Sequence, residues 1–252
     1  MNSDSDIVIS VEGLTVRYGE NTILDNVSLQ VHRGEILIIA GGSGCGKSTL
    51  LKHIIGLSKP SGGRVVINGI DITTATYDKL KDLRKEIGML FQSSALFGSM
   101  TIAENISLSL ATFTDLSAET IELITKMKLG MVGLAGYENH FPAELSGGMQ
   151  KRAGIARAMA MDPRILFFDE PSAGLDPITA AGIDNLIKSL NRGMGTTMVI
   201  VTHELQSIFA VAQRIVMLDK SKKGVIAVGN PLELKEKSTD PMVKNFFNRQ
   251  SA

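Results

Sequence analysis

The segment Gly41-Gly42-Ser43-Gly44-Cys45-Gly46-Lys47-Ser48-Thr49 has the residue types and spacing to hold the phosphates of a nucleotide. Its glycines let the backbone approach an anion closely and take positive φ. Successive N–H groups, backed by a helix start, make a concave donor surface. In that pattern Lys47 reaches the β- and γ-phosphates, and the Ser48 hydroxyl ligates Mg²⁺. A second group is the carboxylate pair Asp169-Glu170, which follows the apolar run Ile165-Leu166-Phe167-Phe168. A parallel strand delivers such a pair to the C-terminal edge of its sheet, where ligands bind in α/β folds. Asp169 is read as a Mg²⁺ ligand, directly or through water, and Glu170 as the group that polarises an attacking water. Cys45 is read either as a small filler or as a reactive thiol, since a helix N-terminus lowers a thiol pKa.

These groups need elements to position them. Ile36 to Ala40 is a continuous apolar run, suited to a strand buried on both faces. A helix follows, from about Gly46 to Gly56. Alternation at Ile7, Ile9, Val11 and at Val27, Leu29, Val31 predicts earlier strands. Pro60, Gly62 and Gly63 mark a turn before a strand at 65–67. From about 101 to 160 the pattern turns helical, with Ile121, Ile124, Met127 and Met131 at helical spacing. Strands return at 165–168 and 198–201, separated by helices near 177–192 and 204–212. That order predicts a parallel α/β core with a helical insertion over roughly 93–160.

Composition narrows the classes. The chain has 252 residues, 44% hydrophobic and 21% charged, which fits one large domain or two joined lobes. Its one cysteine excludes an internal disulfide and fits a reducing setting. The 26 basic and 26 acidic side chains balance, which argues against a nucleic-acid coating protein. No run approaches the ~20 apolar residues of a membrane span. The polar, acidic start MNSDSDIVIS does not read as a secretory leader.

Leu145-Ser146-Gly147-Gly148-Met149-Gln150, shortly before Asp169, resembles the signature motif of ABC ATPases. The likeness covers nearly the whole chain. Tyr18 is similar to the aromatic residue that stacks on adenine. Gln92 matches the Q-loop, Ser172 to Asp176 the D-loop, and His203 the switch histidine. The resemblance implies a P-loop NTPase of ABC type. Its fold would be a RecA-like parallel core with an N-terminal antiparallel β subdomain and an inserted helical subdomain. Residues 1–252 would form one cassette, with 93–160 helical and 238–252 a C-terminal tail.

The resemblance also assigns the site. Glu170, His203 and Lys47 are its catalytic groups. Tyr18, Gly41, Gly42, Ser43, Gly44, Cys45, Gly46, Lys47, Ser48, Thr49, Gln92, Ser146, Gly147, Gly148 and Asp176 bind ATP. Ser48, Gln92 and Asp169 hold Mg²⁺. Two protomers would sandwich two nucleotides as a homodimer and drive integral membrane permease subunits. The cassette would then sit peripherally on the cytoplasmic face of the inner membrane, without nucleic acid. The strings LFQSSALFGSMTIAENI and FFDEPSAGLDPITAAGIDNLI and the tail 239–247 resemble the ATPase of MCE-type, Mla-like lipid transporters. That implies an MCE-type substrate-binding protein and a small regulatory subunit as partners. The alternatives weighed are the ATPase of a polar-solute importer and a soluble ABC ATPase acting on nucleic acid or ribosomes. Met242, Val243, Phe246 and Phe247 line a short tail helix that docks on its own domain or reaches the partner protomer. His32, His53 and His140 match no motif.

Overall fold

The computed structural model describes residues 6–248. Residues 1–5, part of the stretch read for a leader, and 249–252, the end of the tail, lie outside the described residues. The described residues form two compact units, one of residues 6–81 with 197–248 and one of residues 82–196.

The first unit carries two sheets. β1 (Ile7–Tyr18) and β2 (Asn21–His32) form a long hairpin, and β4 (Gly62–Ile67) pairs antiparallel with β1 and with the short β5 (Ile70–Asp71). Ile9 and Val11, and past a register shift Leu14 and Val16, are buried, so a period-two pattern marks the inward face of each half. The second sheet centres on β3 (Ile36–Gly41), with β8 (Thr197–Val201) and β9 (Arg214–Asp219) parallel on either side. β10 (Gly224–Gly229) closes its edge antiparallel to β9. Every residue of β3 and β8 is buried, as their unbroken apolar runs require. α1 (Lys47–Ile54) follows β3 directly, and α7 (Leu205–Val211) follows β8.

α8 (Pro231–Lys237) and α9 (Pro241–Asn248) end the described chain. Asn230 caps α8 by accepting from the N–H groups of Leu232 and Glu233. Val243 and Phe247 are the buried residues of α9, and the Phe247 ring lies 5.7 Å from that of Phe209 on α7. The tail helix therefore docks on its own unit through residues four apart.

In the second unit β6 (Ile87–Leu90) and β7 (Ile165–Asp169) pair in parallel. α3 (Ile102–Phe113), α4 (Ala118–Met131), α5 (Gly147–Ala158) and α6 (Pro177–Met194) accompany them. The compact unit is thus wider than the helical stretch 93–160 read from sequence, since it includes β6, β7 and α6. Thr101 and Glu104 form a reciprocal capping box at the start of α3. Lys128 of α4, almost fully buried, is paired with Asp162. α2 (Tyr77–Lys85) spans the boundary between the units. Among the described residues no helix is long and apolar enough to cross a membrane.

Candidate nucleotide site

The phosphate-type loop lies in the first unit, between β3 and α1. Gly41 has φ 148° and Gly46, the N-cap of α1, has φ 98°. Around Gly42 and Gly44 the space that a Cβ would take is open, so the loop presents bare backbone. Lys47 is buried, and its ammonium donates to the carbonyls of Gly41 at 2.9 Å and Gly42 at 3.0 Å. The amine is therefore held across the loop's mouth by the loop itself. Ser48 and Thr49 begin α1.

Cys45 departs from the reactive-thiol reading. It is 2% exposed, and burial pushes its pKa up, against a smaller opposing pull from Lys47. The Sγ fills the space beside Gly41, which supports the filler reading. His53 is likewise structural, since its Nδ1 lies 2.8 Å from the Thr49 carbonyl and is buried.

A cavity of about 920 Å³ joins Gly41, Gly42 and Ser43 to His203. The structure thus brings two sequence-predicted groups of this unit to one space. Met242 and Phe246 of α9 also line it. His203 is exposed and follows β8, and its Nε2 stands 3.6 Å from Glu204. Tyr18, 57% exposed at the end of β1, presents its ring to the surface.

The second unit holds the other groups. Asp169 ends β7 and Glu170 follows it, both buried. Glu170 has φ 49°, a left-handed conformation that costs a non-glycine residue ~1–3 kcal/mol and concentrates at functional sites. Gln92 follows β6 with its side chain exposed. Ser146 is the N-cap of α5 and accepts from the N–H of Met149 at 3.3 Å, while Ser146 and Gly147 stay exposed. Gln150 donates to the carbonyls of Pro142 and Leu145 and so fixes the chain's entry into α5. Gly148 is buried, and a Cβ there would stand 2.4 Å from the Thr179 side chain of α6. Asp176 caps α6, accepting from the N–H groups of Ile178 and Thr179. The Thr179 hydroxyl first, and then those N–H groups, hold its carboxyl below the usual carboxylate range.

Sequence reasoning missed Lys151, which is buried on α5 and donates to the carbonyls of Gln92 and Glu170. Burial lowers its pKa, and the charges of Asp169 and Glu170 act in the opposite sense. No motif marks it, because its partners are main-chain atoms 59 and 19 residues away.

A glycine loop before a helix, a carboxylate pair after a parallel strand and a capped signature helix define a nucleotide-hydrolysing cassette. A family profile described as ABC transporter matches residues 24–173. The chain belongs to the ABC transporter family, as an ATPase subunit. It is 40% identical to the probable ribonucleotide transport ATP-binding protein mkl of Mycobacterium tuberculosis, over 96% of this chain and 67% of that protein. It is also 40% identical to the intermembrane phospholipid transport system ATP-binding protein MlaF of Haemophilus influenzae, over 97% of this chain and 91% of the relative. The methionine import ATP-binding protein MetN of Brucella abortus matches at 40% over 89% of this chain and 60% of its own. Among solved structures, the ATP-binding cassette MJ0796, a dimer in a post-hydrolysis state bound to ADP and Pi, superposes with a TM-score of 0.80. That match has 35% identity over 88% of this chain and 98% of the other.

Proposed function

We propose that this chain is the motor of a transporter that moves phospholipid or a related lipid, in an MCE-type system. The observation that carries the lipid assignment is the MlaF match, which runs nearly end to end in both proteins. The MetN match leaves more of both chains uncovered and supports polar-solute import as the second reading. In the proposed arrangement residues 1–252 act as one cassette with its helical part at 93–160. Two copies form a homodimer around ATP, peripheral to permease subunits on the cytoplasmic membrane face. An MCE-type substrate-binding protein and a small regulatory subunit complete the assembly.

The reaction is attack of water on the γ-phosphorus with cleavage of the β–γ anhydride. Such transfers are catalysed mainly by positioning and charge stabilisation. Tyr18 stacks on the base. Backbone donors from Gly41 to Thr49 hold the phosphates, and Lys47 turns its ammonium from the loop carbonyls to the β- and γ-phosphates. Glu170 orients the water, and His203 contacts the γ-phosphate. Ser146, Gly147 and Gly148, at the start of α5, face the nucleotide of the other protomer, with Asp176 beside them.

Ser48, Gln92 and Asp169 would hold Mg²⁺. One hydroxyl, one amide and one carboxylate supply the oxygen donors that would suit a hard cation keeping part of its water shell. Among the described residues no group of three or more His, Cys, Asp or Glu could hold a metal ion. When bound, the ion offsets charge on the phosphates.

Isolation of the intact complex from its native membrane, with mass spectrometry of its subunits and bound small molecules, tests the reading. An MCE-type protein and phospholipid are expected. A solute-binding protein with an amino acid would establish the second reading instead.

A further inference from the structure

Lys151 is a buried cation that the proposed chemistry does not use. A buried ammonium is costly unless its donors are satisfied. Here one donor meets the Gln92 carbonyl and another the Glu170 carbonyl, at 3.4 Å for the second. Gln92 opens the loop after β6, and Glu170 follows β7 in a left-handed conformation. The same helix grips that loop again six residues on. The Arg157 guanidinium donates to the carbonyls of Ala95 at 2.6 Å and Ser94 at 2.9 Å. Ser94 and Ala95 are both left-handed, with φ 61° and 48°. Two cations of α5 therefore fix a loop whose backbone is otherwise unfavourable. Only Lys151 also reaches Glu170.

We propose that Lys151 is a positioning residue: its ammonium ties the main chain of Gln92 to that of Glu170, holding the carboxylate in its water-orienting pose and transmitting displacement of the loop to it. The proposal rests on Glu170 acting as the water-orienting group. Its physical basis is that the Glu170 side chain leaves a strained backbone whose carbonyl is fixed from outside. Misplacement of a catalytic group by about 1 Å costs about 100-fold in rate.

The test compares steady-state MgATP hydrolysis by the full chain with that of Lys151→Met, Lys151→Gln and Lys151→Arg. Lys151→Met is expected to lower kcat by about 10- to 100-fold with KM within about twofold. Lys151→Gln, which reaches one carbonyl, should fall between, and Lys151→Arg should recover most of the rate. In single turnovers on a Glu170→Gln background, Lys151→Met should add less than about a twofold loss, because the two act through one group. A kcat near the parental value in Lys151→Met overturns the proposal. So does an arginine variant no better than methionine, or losses that multiply with Glu170→Gln. If Lys151→Met cannot be isolated folded, the Gln and Arg variants decide: Arg well above Gln is expected, and Arg no better than Gln overturns the proposal. Glu170→Gln alone separates the two levels: parental turnover in that variant defeats the site reading, whatever the lysine variants do.

Discussion

Gly41 offers the sharpest structural prediction. It ends β3, pairs in register with Leu218 of β9, and has φ 148°. A Cβ built there stands 2.3 Å from the Leu218 carbonyl oxygen and 2.7 Å from the Cys45 Sγ. The first obstacle is backbone in a parallel ladder, so no rotamer change relieves it. Two costs combine in Gly41→Ala: backbone strain of ~1–3 kcal/mol and overpacking of ~1–3 kcal/mol. Together they give ~2–6 kcal/mol, a large part of the ~5–15 kcal/mol that stabilises a domain. At ~2–4 °C per kcal/mol for a chain of this size, the thermal midpoint should drop by roughly 5–20 °C. Gly42→Ala is the control, because its Cβ meets open space and its φ lies outside the left-handed region. It should stay within ~0.5 kcal/mol of the parent. Circular dichroism melts without nucleotide read both. A Gly41→Ala midpoint within about 2 °C of the parent, or an equal drop in Gly42→Ala, would refute the close-approach argument.

Other expectations follow from the same geometry. Tyr18→Ala should weaken ATP binding by ~1–3 kcal/mol, by analogy with base–aromatic stacking, while kcat at saturating ATP holds; equilibrium titration checks this. Cys45 should alkylate slowly in the native protein and rapidly in denaturant, as its burial and raised pKa require. Fast native labelling would restore the reactive-thiol reading. Thr101→Ala removes half of the capping box on α3 and should cost ~0.5–2 kcal/mol in urea unfolding. The Thr73 hydroxyl is the leading cause of the lowered Asp71 pKa. A depressed carboxylate adds stability above its unfolded pKa and loses it as pH falls through its folded pKa. Thr73→Val should therefore be less stable than the parent at neutral pH, and the gap should close toward low pH.

Some elements are plain in the sequence and others are silent, for physical reasons. β3, β7 and β8 are buried on both faces, so each reads as an unbroken apolar run. α1 is marked by the glycine loop before it. The β9–β10 hairpin escapes the reading, although Ile215 to Leu218 is a fully buried apolar run before the turn at 220–223. α2 escapes it too, because Leu83 is its only buried residue and Tyr77, Leu80 and Leu83 stand alone among charged side chains. In the tail the apolar residues are legible but their roles are not. Val243 and Phe247 pack inward, while Met242 and Phe246 face the cavity beside Gly41 to Ser43. Cys45 is legible as part of the loop, but its burial is not. The site's motif residues are found by type and spacing. The clamp formed by Lys151 and Arg157 is not, since main-chain carbonyls leave no signature in residue type.

In the proposed mechanism this chain hydrolyses ATP through Glu170 between two protomers. Glu170→Gln, mixed with MgATP, tests it in one sample when turnover and mass are followed by phosphate release and light scattering. Hydrolysis reduced ~100- to 1,000-fold, as for loss of one preorganised electrostatic contact, and a stable ATP-bound dimer are expected. Parental turnover, or a protein that stays monomeric with ATP bound, would contradict that mechanism.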